Sequence, residues 1–495
     1  MAASRHFRWF LAGIVALAMA AAVLGRAGQD FSNDEPFTAL MLQKSASDLR
    51  SALVDDNIPL WYVLLRPWRS VFGDGEWGLR SLPLLLYAIA IVVTAVAGRR
   101  AAGPVAGLVA AWLLATSARV GLRFAATARP YALLCLLAAA AVAGHLAAGE
   151  AGSERKTRVW LLMAGLAAVH LAGLFTQPLY AFVAAACAIG SPGLLPGRRG
   201  VVLAAVPCAA VGLYLAAWWP VLSATFLLPT TSWMSKPGAT DLIAGYLALW
   251  GWRNGWMLAG VILALVLVRR GALKEVSSPA WRFCLIVTVL VIGGTFGASL
   301  VAKPVYSAAS TPIVVLPALA IAIAAALVRL GSAPLSLAVA LLLFSSAAAY
   351  ATEGWRPDPA PSADSVAAVA REVRCNDRIV AAGVSFAPVT WYARKAGFPS
   401  CVSIDAFPAE MRAHPGWFDA ASPASRRLEL VSEAAALAGS LDPDSRLWVF
   451  AADRGAGSEA TSLFDDVTGL TLERKLALPG TYFDHVRVYR VRRAD

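Results

Sequence analysis

Charge is the scarcest property of this sequence: Asp, Glu, Lys and Arg make up 15% of its 495 residues, while 58% are hydrophobic. A soluble domain carries about 25% charged and about 45–50% apolar residues. The balance therefore excludes a chain that is soluble throughout, and it excludes disorder as well. Cysteine is sparse, six in all, which is too few for a disulfide-dense secreted scaffold. The five histidines, His6, His145, His170, His414 and His485, stand at no spacing that a metal site uses. No GxxxxGK[ST] phosphate loop occurs, so an ATP-driven pump is unsupported. No pair of half-length, Gly/Pro-broken spans marks an inverted transporter repeat.

Acid is scarcest in the first part of the chain. Of 31 Asp and Glu, 13 precede residue 356 and 18 lie in the last 140 residues. The change falls at the Pro-rich stretch Trp355-Arg356-Pro357-Asp358-Pro359-Ala360-Pro361, which reads as a linker. The expected organisation is a transmembrane domain over 1–352, a linker over 353–362 and a soluble α/β domain over 363–495. The net charge of +12 does not point to nucleic acid, because much of the Lys/Arg excess sits in short loops between apolar runs.

Those runs are what the sequence has in abundance. A membrane span takes about 20 mostly apolar residues. Runs of that kind lie at 8–25, 79–98, 103–119, 130–149, 158–175, 178–195, 201–219, 254–268, 283–301, 311–329 and 333–350, so a polytopic helical protein of about eleven spans is expected. The first run has signal-peptide features and is read as a retained anchor. When the spans alternate, Arg5/Arg8, Arg99/Arg100, Arg155/Lys156/Arg158, Arg198/Arg199, Arg269/Arg270/Lys274 and Arg329 fall on one side. The positive-inside rule makes that side cytoplasmic, with the C-terminal domain outside an inner (plasma) membrane. In that domain strands are expected at 378–383, 402–405, 446–451, 470–477 and 484–492, with helices at 363–374, 386–396, 425–439 and 459–467. A β-α-β unit would bring Cys375 and Cys401 near one another; whether they pair is left open.

Eight of the 13 early acids fall between Asp30 and Glu76, in a long first external loop over 26–78. Phe37, Leu40, Met41 and Lys44, then Leu60, Val63, Leu64 and Pro67, repeat at helical spacing. Capping by Ser32 or Asn33 would put Asp34 and Glu35 in the first turn of one helix, where acids also favour the helix dipole. Between the first loop and the C-terminal domain the external cations are Arg119, Arg123 and Arg129 in the second loop, then Lys236, Arg253 and Lys303. A guanidinium at the mouth of a bundle suits bidentate binding of phosphate; interfacial snorkelling is the alternative.

Three stretches in order carry a resemblance: Asp34-Glu35 after the first span, Asn57-Ile58-Pro59-Leu60-Trp61-Tyr62, and Phe72-Gly73-Asp74-Gly75-Glu76-Trp77-Gly78-Leu79-Arg80. With Ala128-Arg129-Pro130-Tyr131 and Lys303-Pro304-Val305-Tyr306 they resemble the GT-C glycosyltransferases. The likeness is to the bacterial branch related to protein O-mannosyltransferases and lipid A aminoarabinose transferases. It implies transfer of a sugar from a polyprenyl-phosphate carrier to a glycan, lipid or protein acceptor on the outer face. It further implies Asp34 as general base, with Glu35 orienting it or binding the acceptor. Arg129, then Lys303 and Arg253, would hold the donor phosphate, and Asn57, Tyr62, Tyr131 and Tyr306 would line the substrate site. Where the family often has an acid before Ala-Arg-x-Tyr, this chain has Thr127. No cofactor is specified, and a divalent cation is left open. The alternatives are a polyprenyl-lipid transporter or flippase, which would want charges along a path through the spans, and a non-catalytic membrane scaffold.

Overall fold

The computed structural model describes residues 2–26, 29–31, 34–49, 58–117, 123–150, 156–227, 234–250, 255, 259, 277–308, 310–332, 336, 361–412, 426–443, 445–452, 462–476 and 483–491. In chain order the main elements begin with helices α1 (Ala2–Leu24), α2 (Glu35–Gln43), α3 (Pro59–Phe72), α4 (Glu76–Ala115), α5 (Tyr131–Glu150) and α6 (Lys156–Thr176). They continue with α7 (Ala181–Gly190), α8 (Arg198–Leu227), α9 (Ala239–Trp250), α10 (Pro279–Val301) and α11 (Leu316–Leu330). The remainder is α12 (Pro361–Ala370), β1 (Arg378–Ala382), α13 (Phe386–Lys395), β2 (Ser403–Phe407), α14 (Arg427–Gly439), β3 (Arg446–Ala452), β4 (Leu470–Leu476) and β5 (Phe483–Val491). Two compact units result. One comprises Met1–Ala27, Asn57–Pro220 and Met234–Arg356; the other comprises Gly28–Asp56, Val221–Trp233 and Pro357–Asp495.

The first unit is helical. Among the described residues α1, α4, α5, α6, α8 and α10 are long and apolar enough to cross a membrane. Such a set reads as a multi-pass membrane protein. The helix of α10 starts where Ser278 Oγ accepts from Trp281 N–H at 3.2 Å and Pro279 takes the first turn. Two other expected spans are shorter than a bilayer needs. The stretch Pro178–Gly193 is only ten α-helical residues between 3-10 turns that begin at Pro178 and at Ser191-Pro192, and α11 has 15 residues. The runs expected at 254–268 and 333–350 lie outside the described residues.

At 40 residues, α4 would measure about 60 Å as one rod, twice the hydrocarbon thickness of about 30 Å. It is two helices. The backbone breaks at Ala102 and Gly103, the latter at φ 89° where side-chain-bearing residues are strained. The second arm folds back on the first so closely that a Cβ on Gly107 would lie 2.5 Å from the Ala95 carbonyl oxygen. The separate runs expected at 79–98 and 103–119 are these two arms, although the second ends at Ala115. Gly107→Val is therefore expected to block the hairpin and abolish the monodisperse species in detergent size-exclusion chromatography; retention of that species would show that the two arms can separate at little cost.

The second unit is a five-stranded sheet in the order β2-β1-β3-β5-β4. Strand β1 pairs in parallel with β2 and β3, and β5 runs antiparallel to β3 and β4. The observed strands begin and end within two or three residues of the expected ones, because each is a short apolar or alternating run bounded by turns. Val380, Phe407, Leu447, Val449, Leu430, Ala434, Phe464 and Tyr489 form its core. At the start of β3, Asp377 accepts from Arg446 Nη2 at 2.7 Å and from Trp448 Nε1 at 3.2 Å.

Cys375 and Cys401 form a disulfide across 26 positions of sequence, clamping the starts of β1 and β2. Closing a loop of that length in the unfolded chain is worth about 3–4 kcal/mol. The paired Cys375→Ser, Cys401→Ser variant is expected to lower the unfolding temperature by several degrees in a thermal scan, and an unchanged midpoint would deny the bridge a stabilising role.

Candidate functional site

Helix α2 belongs to the second unit. The chain entering it is held by the α13 helix: Phe31 N–H donates to the Tyr392 hydroxyl at 2.5 Å, and the Phe31 ring lies 5.4 Å from that of Trp391. At its far end Lys44 Nζ donates to the Arg412 carbonyl at 3.3 Å. Burial pulls the Lys44 ammonium below its ordinary value, with Asp48 pulling the other way. The expected caps, Ser32 and Asn33, lie outside the described residues; Asp34 itself takes the N-cap position, and its carboxylate makes no capping bond. Asp34 is exposed and Glu35, one residue on, is buried. An exposed carboxylate spared from capping is one that can accept a proton from an incoming hydroxyl.

The other expected site residues lie in the first unit, whose two ends differ in character. At one end, Arg99 stacks over Phe7 at 5.2 Å, Arg100 pairs with Glu150, and Arg329 Nη2 donates to the Ala101 carbonyl at 3.3 Å. At the opposite end four chain segments are tied together by polar contacts. Arg26, just beyond α1 and buried, donates from Nη2 to Thr127 Oγ1 at 3.5 Å. Ser117 Oγ, after the second arm of α4, donates to the Leu249 carbonyl of α9 at 2.7 Å. The Tyr306 hydroxyl donates to the Asp241 carbonyl, also on α9, at 3.2 Å. Ser299 Oγ, near the end of α10, accepts from Val305 N–H at 2.9 Å and Tyr306 N–H at 2.8 Å.

Arg129 and Lys303 both emerge at this second end. Residues Ala126 to Ala128 are buried, and the tight turn closed by Arg129 N–H donating to the Thr127 carbonyl at 2.7 Å fixes the Arg129 backbone just ahead of α5. Its side chain is half-buried. Tyr131, the first residue of α5, is half-buried against Phe124 at 4.1 Å between ring centroids. Lys303 is half-buried on the loop that Ser299 pins. Tyr306 is buried, and burial, with Asp241 adding to it, pushes its phenol up to about 12. Its hydroxyl thus stays protonated and a donor. Tyr62 and Trp61 are fully buried on α3. Arg69, in the last turn of α3, pairs with Asp74 just beyond it, so that loop acid already has a cation. Asn57 and Arg253 lie outside the described residues.

No family model matches the chain, and no curated protein is similar to it in sequence. Solved structures do resemble it. ArnT from Cupriavidus metallidurans bound to undecaprenyl phosphate superposes with a TM-score of 0.58 at 14% identity, over 96% of this chain and 97% of that one. The archaeal oligosaccharyltransferase AglB from Archaeoglobus fulgidus, in complex with an inhibitory peptide and a dolichol-phosphate, gives 0.53 at 10% identity, over 97% of this chain and 74% of that one. The chain has the GT-C fold. At such identities the likeness is of fold, and the chemistry has to be argued from the residues.

Three features of this chain escape sequence reading. Arg26 is one: it fills the place beside Thr127, the position where the resemblance would put an acid. Its signal was available, as a cation placed directly at the outer end of α1. Arg80, fully buried at the start of α4, is another. The third corrects the reading of the histidines as scattered: His145 on α5 and His170 on α6 meet, Nε2 to Nε2, at 3.2 Å. A spacing of 25 residues across two helices has no motif to show, but a histidine inside an apolar span is costly enough to ask for a partner.

Proposed function

We propose that this protein is a membrane glycosyltransferase that moves a sugar from a polyprenyl-phosphate carrier to a glycan, lipid or protein acceptor, with inversion, on the outer face of an inner membrane. The observation that carries the reading is the cationic end of the first unit, where Arg129 and Lys303 are presented by separately anchored segments at the helix mouths. A leaving phosphate requires positive charge and bidentate donors at that depth. The GT-C fold, shared along almost the whole chain with ArnT bound to undecaprenyl phosphate, supports it.

In this reaction Asp34 takes the proton of the acceptor hydroxyl as its oxygen attacks the anomeric carbon. The bond from that carbon to the phosphate oxygen breaks, and its electron pair stays on the phosphate. Arg129 and Lys303, joined by Arg253, neutralise the charge that develops there. Glu35, buried one residue on, orients Asp34, while Asn57, Tyr62, Tyr131 and Tyr306 shape the sugar site. Attack opposite the leaving group inverts the anomeric centre. The opposite end of the first unit, which holds Arg99, Arg100 and Arg329, is the cytoplasmic one in this account, in keeping with the positive-inside rule. The Cys375–Cys401 disulfide supports an oxidising location for the second unit.

Incubating the purified protein with a panel of undecaprenyl-phosphate sugars and scoring release of undecaprenyl phosphate tests the proposal without knowledge of the acceptor. Time-dependent release stimulated by membrane extract is the expected result. No release from any donor, with the protein folded and lipid-loaded, would count against it.

A further inference from the structure

Inside the first unit, α5, α6 and α7 bring together His145, His170 and Cys187, all buried, with their ligating atoms within 4.8 Å of one another. Two imidazole nitrogens bound to one three-coordinate ion at about 2.0–2.1 Å stand about 3.5–3.6 Å apart, a few tenths of an ångström beyond the 3.2 Å between His145 Nε2 and His170 Nε2. The proton inventory is specific. Ser191 Oγ spends its hydrogen on the Cys187 carbonyl at 2.6 Å, so it accepts from His145 Nδ1–H at 3.0 Å. That fixes the tautomer: His145 Nε2 carries a lone pair directed at His170. A serine oxygen accepting from the far nitrogen of a histidine fixes its tautomer and ring orientation, as the outer-shell acceptors of metal-bound imidazoles do. His170 Nδ1 is buried with no hydrogen-bond partner, so the hydrogen bond between the two rings leaves the pair incompletely satisfied.

We propose that His145, His170 and Cys187 form a binding site for a single Cu⁺ ion within the membrane bundle. A soft thiolate with two borderline imidazoles suits copper, and three ligands suffice for Cu⁺. Charge decides between Cu⁺ and Zn²⁺. Among the described residues no carboxylate joins the cluster, so a Cu⁺–thiolate unit is neutral, whereas Zn²⁺ would leave a buried positive charge in apolar surroundings. On binding, the Cys187 thiol gives its proton to solvent and its sulfur bonds the ion. His170 shifts its proton from Nε2 to Nδ1, freeing Nε2 to coordinate. No oxidation state changes.

The test is anaerobic titration of the full-length protein in detergent with Cu⁺ under ascorbate, in competition with bicinchoninate, followed by X-ray absorption at the copper edge. One equivalent per chain is expected, coordinated by one sulfur and two imidazole nitrogens. It should persist in Cys208→Ser, whose thiol is exposed, and weaken at least 100-fold in Cys187→Ser and in His170→Gln. Zn²⁺ should bind at least tenfold more weakly. Absence of a tight equivalent in the unaltered protein, a spectrum without nitrogen neighbours, or tighter Zn²⁺ would overturn the proposal; the unaltered protein alone suffices to decide it if the variants do not fold.

Discussion

Replacing Asp34 by Asn is expected to slow sugar transfer by about 10²–10⁴-fold, the range a positioned general base supplies. The change keeps the shape of an exposed side chain that caps nothing, so the fold and the binding of carrier lipid should be unaffected. The limb of the pH–rate profile that reports a base should vanish along with the rate. Single-turnover assays on one donor, with lipid binding measured in parallel, separate loss of chemistry from loss of substrate. Full activity in Asp34→Asn would move the base elsewhere. Asp74 is a poor substitute, since it is already paired with Arg69.

The second large effect belongs to Arg129. Removing a donor aimed at charge that develops in the transition state costs about 10²–10³-fold, and Arg129→Ala should fall in that range. Arg129→Lys should recover only part of the loss, because an ammonium cannot offer the planar pair of donors that a phosphate accepts. Product inhibition by undecaprenyl phosphate should weaken in both variants, a signature that a merely structural role would not leave. Arg198→Gln, an exposed cation at the start of α8, is the control and should keep the parental rate. Equal losses in Arg129→Ala and Arg198→Gln would reduce the assignment to a general effect of net charge.

How much of this could be read from the chain depends on how local the signal is. The β1, β3 and β5 strands are legible because burial and alternation are written within five to nine residues, and α5 because it is apolar almost throughout. The stretch at 178–193 looks like a span by composition, yet Pro178 and Pro192 convert its ends to 3-10 turns, a constraint that hydropathy does not register. The α2 helix is legible from Phe37, Leu40 and Met41, but its N-cap is not, because Asp, Asn and Ser compete for that role and the choice turns on how Phe31 is held by Tyr392 some 361 positions away. The same holds for the site. Arg129 and Lys303 stand out as external cations between the first loop and the C-terminal domain, whereas the partnership of Arg26 with Thr127, separated by 101 positions, arises only when the helices pack.

The account rests on which end of the membrane bundle receives the carrier phosphate. A cryo-electron microscopy structure of the purified protein with undecaprenyl phosphate addresses it directly. The phosphate is predicted to lie within hydrogen-bonding distance of the Arg129 guanidinium, with Lys303 beside it. Phosphate density at the opposite end, against Arg100 or Arg329, would contradict the account.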